Sequence, residues 1–593
     1  MSEIDRAAAI VGYGALSAFG EGREALGLVE AGLPARTAIG VDEALASAGV
    51  QRPFGARIDA RPQPTSRLDE EDPALGWLRR AWSALPLGAL LAQGTSAPLR
   101  IGLALGTSSG AMRSAERLFE RWIAAGGRDD GIDRALLDGA RYGAPFDACR
   151  SWLPRPPTRS VHVLSACAAS TLAIGIGARW IEADACDAVI AGGYDAATTF
   201  VGAGFSALGA ITATPPPRPL SPHRDGMALG EGAGLLLLVK PALAATLPRP
   251  LGWIGGFGAA CDAVHLTAPA RDGRGAAAAA RRALGRAAPD LVSLHGTSTA
   301  YNDCAEDAAL RTVLGAAVGE VPVVASKSSL GHTLGAAGVL ETLAALESMA
   351  MRLVPPTAGY GEQDPALAMR ARATAEASNP RRLLKLSSAF GGTNAALRVD
   401  LDRPPPMRRA RAGSRRVAEV EVSATVTAAT LAAATALPRE RLARLDESSL
   451  LTLWAASELA RAVGEDALRG AGAVVASALC TMGWNARYHE PIARGEAARV
   501  EGRRFAYTTP NAAVGELAMA YGLTGPCLAV GGTADAAAQG RAVVADLLAA
   551  GDARAMLLIE VEPETRLGAA VLAAMRDAPA FGARASLWLA EPE

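Results

Sequence analysis

Up to about residue 402 the chain alternates short apolar runs with longer stretches of small and polar residues. AAAIVGYGAL, IGLALGT, SVHVLSA and DAVIAGG read as buried strands, each followed by a helix-compatible segment. PDLVSLHGT, VPVVASK and RLLKLSSAFGG repeat the strand-then-polar-turn pattern further on. Uninterrupted apolar runs belong to strands covered on both faces, and strands alternating with helices predict α/β architecture. In such folds chemistry gathers at the carboxyl ends of strands.

DRPPPMRRARAGSRR, Asp402–Arg416, breaks the pattern. Three consecutive prolines and a basic run predict an extended, solvated linker. The expected units are 1–402, with halves of about 1–245 and 246–402, a linker over 403–416, and a further unit over 417–593. That last unit repeats the first in outline. Arg67-Leu68-Asp69-Glu70 and Arg444-Leu445-Asp446-Glu447 each open a predicted helix. IGLALGTSSG matches AVVASALCTMG, and VLSACAASTLAIGIGARWIEAD matches AVGGTADAAAQGRAVVADLLAAG, which sets Cys167 opposite Ala534.

The 593 residues suffice for several units with sizeable cores, and half of them are apolar. A net charge of -1, with acids and bases interspersed, argues against a nucleic-acid-binding field. Seven cysteines, an odd number with no CxxC spacing, predict neither a disulfide framework nor a metal site. MSEIDRAAAIVGYGALSAFG lacks a basic start, and runs such as GAGLLLLVKPALAA are too short to span a bilayer, so a cytoplasmic protein with no membrane span is expected.

Three segments carry candidate chemistry. Cys167 sits where the apolar run VLSA gives way to a helix-like run of small residues. A thiol at a helix N-terminus is expected to have a lowered pKa, and small neighbours leave room for an acyl group. His295 ends DLVSLHGT beside Gly296 and three hydroxyl residues. His332 lies in SLGHTLGAAG, another Gly-punctuated turn, five residues after Lys327. One such histidine is more often structural; two in matching turns with a cysteine in a third form a constellation.

HGTSTAYNDCAED, SKSSLGHTLGAAG and SSAFGGTNAAL, with DAVHLTAP and RDGMALGEGAG, resemble the signature blocks of β-ketoacyl-acyl-carrier-protein synthases of the thiolase superfamily, in the family's order. The resemblance implies a layered αβαβα thiolase-like fold with an appended half-domain. It makes Cys167 the acyl-accepting nucleophile and His295 and His332 the pair that assists malonyl decarboxylation. It implies that Lys327 is a structural lysine with Glu306 as its carboxylate partner. It gives Phe390 a gating role, with its backbone N–H beside that of Cys167 as oxyanion hole. Thr297 and Thr299 would hold the pantetheine arm, His265 would lie near the entrance, and Gly391 belongs to the gating turn. Ser388 and Leu220-Ser221 stand where the family usually has phenylalanine and Phe-Asp, and the usual Gly-x-x-Gly-Pro run before the nucleophile is absent.

The C-terminal unit resembles the first half of a second ketosynthase, or a truncated chain-length factor, with Ala534 at its inactive nucleophile position. It is expected to dock 527–533 against 161–167 as a pseudo-dimer, within a chain or between chains. The implied activity is decarboxylative Claisen condensation of an acyl thioester on Cys167 with malonyl-carrier protein, in fatty-acid-like, polyene or polyketide synthesis. No bound cofactor or metal is implied; phosphopantetheine arrives on the acyl carrier protein. Acyl loading without elongation, and a non-catalytic scaffold, are the other readings. Cys149, Cys186, Cys261, Cys304, Cys480 and Cys527, and His162, His223 and His489, are expected to be structural or incidental.

Overall fold

The computed structural model describes residues 7–58, 72–93, 98–129, 131–404, 413–422, 426–435 and 437–591. The predicted helix start at Arg67–Glu70 lies outside them. Fifteen strands make the main path of one mixed sheet. In chain order they are β1 (Ala8–Ser17), β2 (Ile101–Gly106), β3 (Arg159–Val163), β4 (Ala188–Asp195), β5 (Gly232–Val239), β6 (Gly252–Cys261), β7 (Leu291–Ser293), β8 (Val323–Val324), β9 (Arg382–Ser388), β10 (Thr393–Asp400), β11 (Gly413–Val422), β12 (Gly472–Ser477), β13 (Cys527–Gly531), β14 (Ala555–Glu562) and β15 (Gly582–Glu591). The helices used below are α1 (Met112–Ala124), α2 (Ala169–Glu182), α3 (Thr199–Ala207), α4 (Ala337–Ala350), α5 (Met482–Ala493), α6 (Ala512–Tyr521), α7 (Ala536–Ala549) and α8 (Arg566–Ala574).

Across the sheet the order is β8-β7-β9-β10-β6-β1-β5-β4-β2-β3-β13-β12-β14-β15-β11. This is one five-strand unit used three times. In the first, β2 runs parallel to β3 and β4, β4 antiparallel to β5, and β5 antiparallel to β1. Strands β7, β8, β9, β10 and β6 repeat that scheme, and β12, β13, β14, β15 and β11 repeat it again. The first and second units join where Ala8–Ile10 pair with Gly252–Ile254. Helices α2 and α4, buried along nearly their whole length, pack together between these two units. Helix Pro73–Ser83 covers the outer face of the first and helix Arg274–Leu284 that of the second. This is the αβαβα layering expected from the resemblance.

The duplication is legible in register. Helix α2 starts at 169 and α7 at 536, β4 starts at 188 and β14 at 555, α3 starts at 199 and α8 at 566: each pair is 367 positions apart and equal in length. The caps repeat as well, with Thr198 accepting from the Val201 N–H and Thr565 from the Gly568 N–H. The proposed linker is shorter than its sequence suggests. Gly413–Arg416 already belong to β11, because β15 offers a partner from Glu591 backward. Residues 405–412 of the linker lie outside the described residues.

The first and third units meet edge to edge within one chain. Val163 on β3 pairs with Val530 on β13 in antiparallel sense, and the Leu164 N–H donates to Ala529 O at 2.8 Å. His162 fills the joint, stacked on Phe146 at 4.8 Å with its Nδ1 2.8 Å from Gly531 O. Buried charge reinforces it: Arg179 on α2 makes two 2.8 Å bonds to Asp552, while the Trp180 Nε1–H donates to Asp546 at 2.8 Å. The far edge, β11, reads GSRRVAEVEV, and its alternating charges oppose further strand pairing.

Removing one member of a fully buried ion pair typically lowers stability by about 3–5 kcal/mol, because the other charge stays buried. Arg179→Ala is therefore expected to lower the urea unfolding midpoint by a corresponding amount. A change below about 1 kcal/mol would show that the Arg179 pair does not hold the joint.

Candidate active site

Strand β3 ends at Val163, and Cys167 follows in the single 3₁₀ turn Ala166–Ala168 that leads into α2. Ala166 takes a φ of +44°, a left-handed conformation that bends the backbone sharply just before the thiol. Small residues on both sides allow the close approach of α4 and its preceding turn.

His332 lies in that turn, with Nε2 2.9 Å from the Cys167 Sγ. The Leu334 backbone N–H donates to His332 Nδ1 at 3.2 Å. An Nδ1 that accepts leaves the proton of a neutral imidazole on Nε2, so His332 presents an N–H to the sulfur. His295, at the end of β7, stands edge-on to His332 with ring centroids 5.6 Å apart, and its Nδ1 is buried without a hydrogen-bond partner among the described residues. Burial, followed by the nearby Lys327 charge, holds both imidazoles well below their ordinary pKa. Both are therefore neutral N–H donors at physiological pH.

The sequence expectation for the thiol is corrected here. Burial pushes the Cys167 pKa up to about 12, and the Lys327 charge offsets this only in part. The Lys327 pairing is corrected too. Its Nζ bonds Glu341 Oε1 at 2.6 Å and His295 O at 2.6 Å. Glu306 instead accepts the backbone N–H groups of His295 at 2.6 Å and Gly296 at 2.8 Å, so it shapes the histidine turn directly. Glu341 is shared with a second buried lysine, Lys385, which burial draws down to about 8.

Sequence reasoning missed Glu341, Lys385 and Asp195. A lysine inside the apolar run RLLKLSS and a glutamate inside a small-residue helix were the available signals. Asp195, at the end of β4, accepts from the backbone of Ser108, Ser109 and Gly335 at 2.7, 3.0 and 2.6 Å. It thereby ties the turn after β2 to the turn that carries His332.

Phe390 and Gly391 form the turn between β9 and β10. Gly391 has φ +78°, and an added Cβ would meet Asn511 O at 2.8 Å, so glycine is required on two counts. Its N–H donates to Leu266 O at 2.7 Å. His265, next door, is exposed and accepts the N–H groups of Thr267 and Ala268. Thr297 and Thr299 pair at 3.0 Å just after His295, and Thr299 also caps helix Ala300–Leu314.

A narrow cavity reaches Cys167, lined by Met112, Phe200, Phe205 and Phe390 from the first two units and by Phe505 and Thr509 from the third. The third unit thus supplies part of the cavity at Cys167, which sequence reasoning did not foresee at residue level. Tyr142 seals the seam, donating to Thr508 O at 2.9 Å. Asn511 Nδ2 donates to Phe390 O at 2.6 Å. Ala534, opposite Cys167 in the duplication, opens instead on a charged cleft where Arg150 bonds Asp535.

Family models for the β-ketoacyl synthase N-terminal domain and C-terminal domain match residues 158–244 and 251–361. A 3-oxoacyl-[acyl-carrier-protein] synthase 2 of Synechocystis sp. is 38% identical over 34% of this chain, which spans about half (51%) of that relative. The tetracenomycin polyketide synthase ketoacyl synthase alpha subunit of Streptomyces glaucescens is 31% identical over 50% of this chain and 74% of its own length. Among solved structures, the PfaC keto synthase–chain length factor superposes with a TM-score of 0.81 over 99% of this chain and 78% of that one; at 16% identity this is a likeness of fold. With a cysteine set against two neutral histidines on this fold, these relatives place the chain in the β-ketoacyl synthase family of condensing enzymes.

Proposed function

We propose that this chain elongates an acyl group delivered by a carrier protein, with Cys167, His295 and His332 as its catalytic residues. The observation that carries this reading is the His332 Nε2–H facing Cys167 at 2.9 Å, with its tautomer fixed by the Leu334 N–H. In loading, Cys167 Sγ attacks the thioester carbonyl, the carbon–sulfur bond to pantetheine breaks, and the thiol proton passes to the departing sulfur. His332 stabilises the attacking sulfur as it sheds its proton, offsetting the burial that raises its pKa.

Malonyl thioester then occupies the emptied pantetheine position. Its carboxylate leaves as carbon dioxide, and the freed electron pair makes an enolate. Two neutral N–H donors, from His295 and His332, meet that oxygen without the desolvation cost of a buried cation. The enolate carbon attacks the acyl-Cys167 carbonyl, whose oxyanion the backbone N–H groups of Cys167 and Phe390 receive. The bond from the acyl carbon to Cys167 Sγ breaks, the expelled thiolate takes up a proton from water, and β-ketoacyl thioester is released. Thr297, Thr299 and the His265 turn line the approach for the phosphopantetheine arm of the acyl carrier protein, which is the partner on this reading. The third unit acts as a built-in half of a chain-length-factor-like partner, supported by its place beside β3 and its contribution of Phe505 to the cavity.

Cys167→Ser should abolish acyl-enzyme formation, read as loss of the mass adduct after incubation with an acyl-carrier protein, since a hydroxyl is far less nucleophilic. A persistent adduct at another residue would overturn the assignment.

His332→Ala or His295→Ala should slow malonyl-carrier protein decarboxylation by about 10²–10³-fold, the usual effect of losing one oxyanion donor. Decarboxylation at the parent rate in both variants would remove the histidines from the mechanism.

The pH profile follows from the lowered histidine pKa values. Protonation would replace a tuned neutral donor by a cation, and it occurs only well below the ordinary value near 6.5. Decarboxylation should therefore be flat as pH falls from about 8 to about 6, and decline only in more acidic buffer. A half-loss centred near 6.5 would contradict neutral donors.

A further inference from the structure

Helices α1 and α5 occupy related places in the first and third units and pack against each other across the joint. The buried side of α1 is largely apolar, with Met112, Ala115, Leu118 and Phe119. The buried side of α5 carries Asn485, Tyr488 and His489, at spacings of three and four that share one helix face. These residues are 0%, 4% and 1% exposed. Their surroundings are aromatic: Phe200 lies 4.9 Å from Tyr488 and 6.0 Å from His489, and Phe119 lies 5.7 Å from His489, between ring centroids.

Polar groups in such a place normally find partners, because leaving one unpaired forfeits its hydration without replacement. Here Tyr488 Oη, Asn485 Oδ1 and both ring nitrogens of His489 have no hydrogen-bond partner among the described residues. Glu120 Oε1 approaches His489 Nε2 only to 3.9 Å. Thr509 Oγ1 is unpaired as well, and Thr509 lines the Cys167 cavity itself. Phe200 and Phe505 form the wall between that cavity and the polar stripe: both line the cavity, and both touch Tyr488.

We propose that the acyl cavity opens past Phe200 and Phe505 onto this stripe, and that Thr509, Tyr488 and His489 select acyl chains bearing hydroxyl or keto oxygens over plain hydrocarbon chains. The inference rests on the ketosynthase reading and specifies its substrate class. Burial holds His489 neutral, with its pKa down to about 4, and keeps the Tyr488 hydroxyl protonated. Such groups offer neutral donors and acceptors, which suit alcohol and ketone oxygens. A hydrocarbon chain would leave every one of them unpaired.

The test compares loading of octanoyl, 5-hydroxyoctanoyl and 7-hydroxyoctanoyl pantetheine onto Cys167 of the full chain, followed by intact mass. The parent protein should load at least one hydroxy chain about tenfold faster than octanoyl, the worth of one or two satisfied hydrogen bonds. Tyr488→Phe and His489→Leu should abolish most of that preference while leaving octanoyl loading within about twofold. Thr509→Val, nearly isosteric, should also reduce the ratio of hydroxy-chain to octanoyl loading, and it serves should His489→Leu fail to fold. Equal or faster octanoyl loading by the parent, or a preference unchanged in the variants, would overturn the proposal. Failure of every thioester to load on Cys167 would instead remove the ketosynthase reading, and the selectivity with it.

Discussion

The strand leading to Cys167 cannot be the edge of its sheet. Strand β3 is VHV at its buried end, with Val161, His162 and Val163 all fully buried, and β2 pairs with only one of its sides. Left open, the other side would offer unpaired backbone next to an apolar face. Strand β13 closes it. Because Cys167 follows β3 by only four residues, whatever closes β3 must also stand beside the thiol. Tyr142, Thr508 and Phe505 meet there for that reason. Covering an edge and building a cavity wall are thus one requirement, met by one joint.

The chemistry depends on a second constraint, the burial of charge. Glu341 sits between Lys327 and Lys385, with all three side chains nearly inaccessible. The charges of Lys327 and Lys385 reach the histidine turns as a positive field. That field adds to burial in holding both imidazoles neutral. Lys327 also fixes His295 from below, through its bond to the His295 carbonyl. The lysines therefore act on the histidines by position and by field, and the Lys327 charge reaches the thiol as well.

Much of this was legible in the sequence, for physical reasons. Buried strands are apolar on both faces, so β1, β2, β3, β4 and β9 stood out as runs. Turns that approach one another this closely need glycine and small residues, so the three turns that meet at Cys167 were recognisable. Pairing of buried charges was not legible, because Lys327 is 14 residues from Glu341 in sequence and 21 from Glu306, and nothing local distinguishes the two. The thiol pKa was misjudged because a helix N-terminus can be read from sequence, whereas the depth of burial around it cannot. The extent of the linker was misjudged because Gly413–Arg416 are polar by composition and become a strand only through β15.

The third unit also separates structure from chemistry. It keeps the carboxylate that ends β4, as Glu562 at the end of β14, where it accepts the backbone N–H groups of Ala478 and Leu479 much as Asp195 accepts those of Ser108 and Ser109. It keeps the threonine caps and the lengths of its helices. It does not keep the thiol, and the cleft at Ala534 is lined by arginines and aspartates where the Cys167 cavity is aromatic. A buried carboxylate clamps the turn after β2 and the turn after β12 alike, so it belongs to the scaffold that the first and third units share. The thiol beside two imidazoles is found in the first unit alone among the described residues. Asp195 belongs with the scaffold by this comparison, despite its closeness to the histidine turn, whereas Cys167 has no thiol counterpart in the third unit.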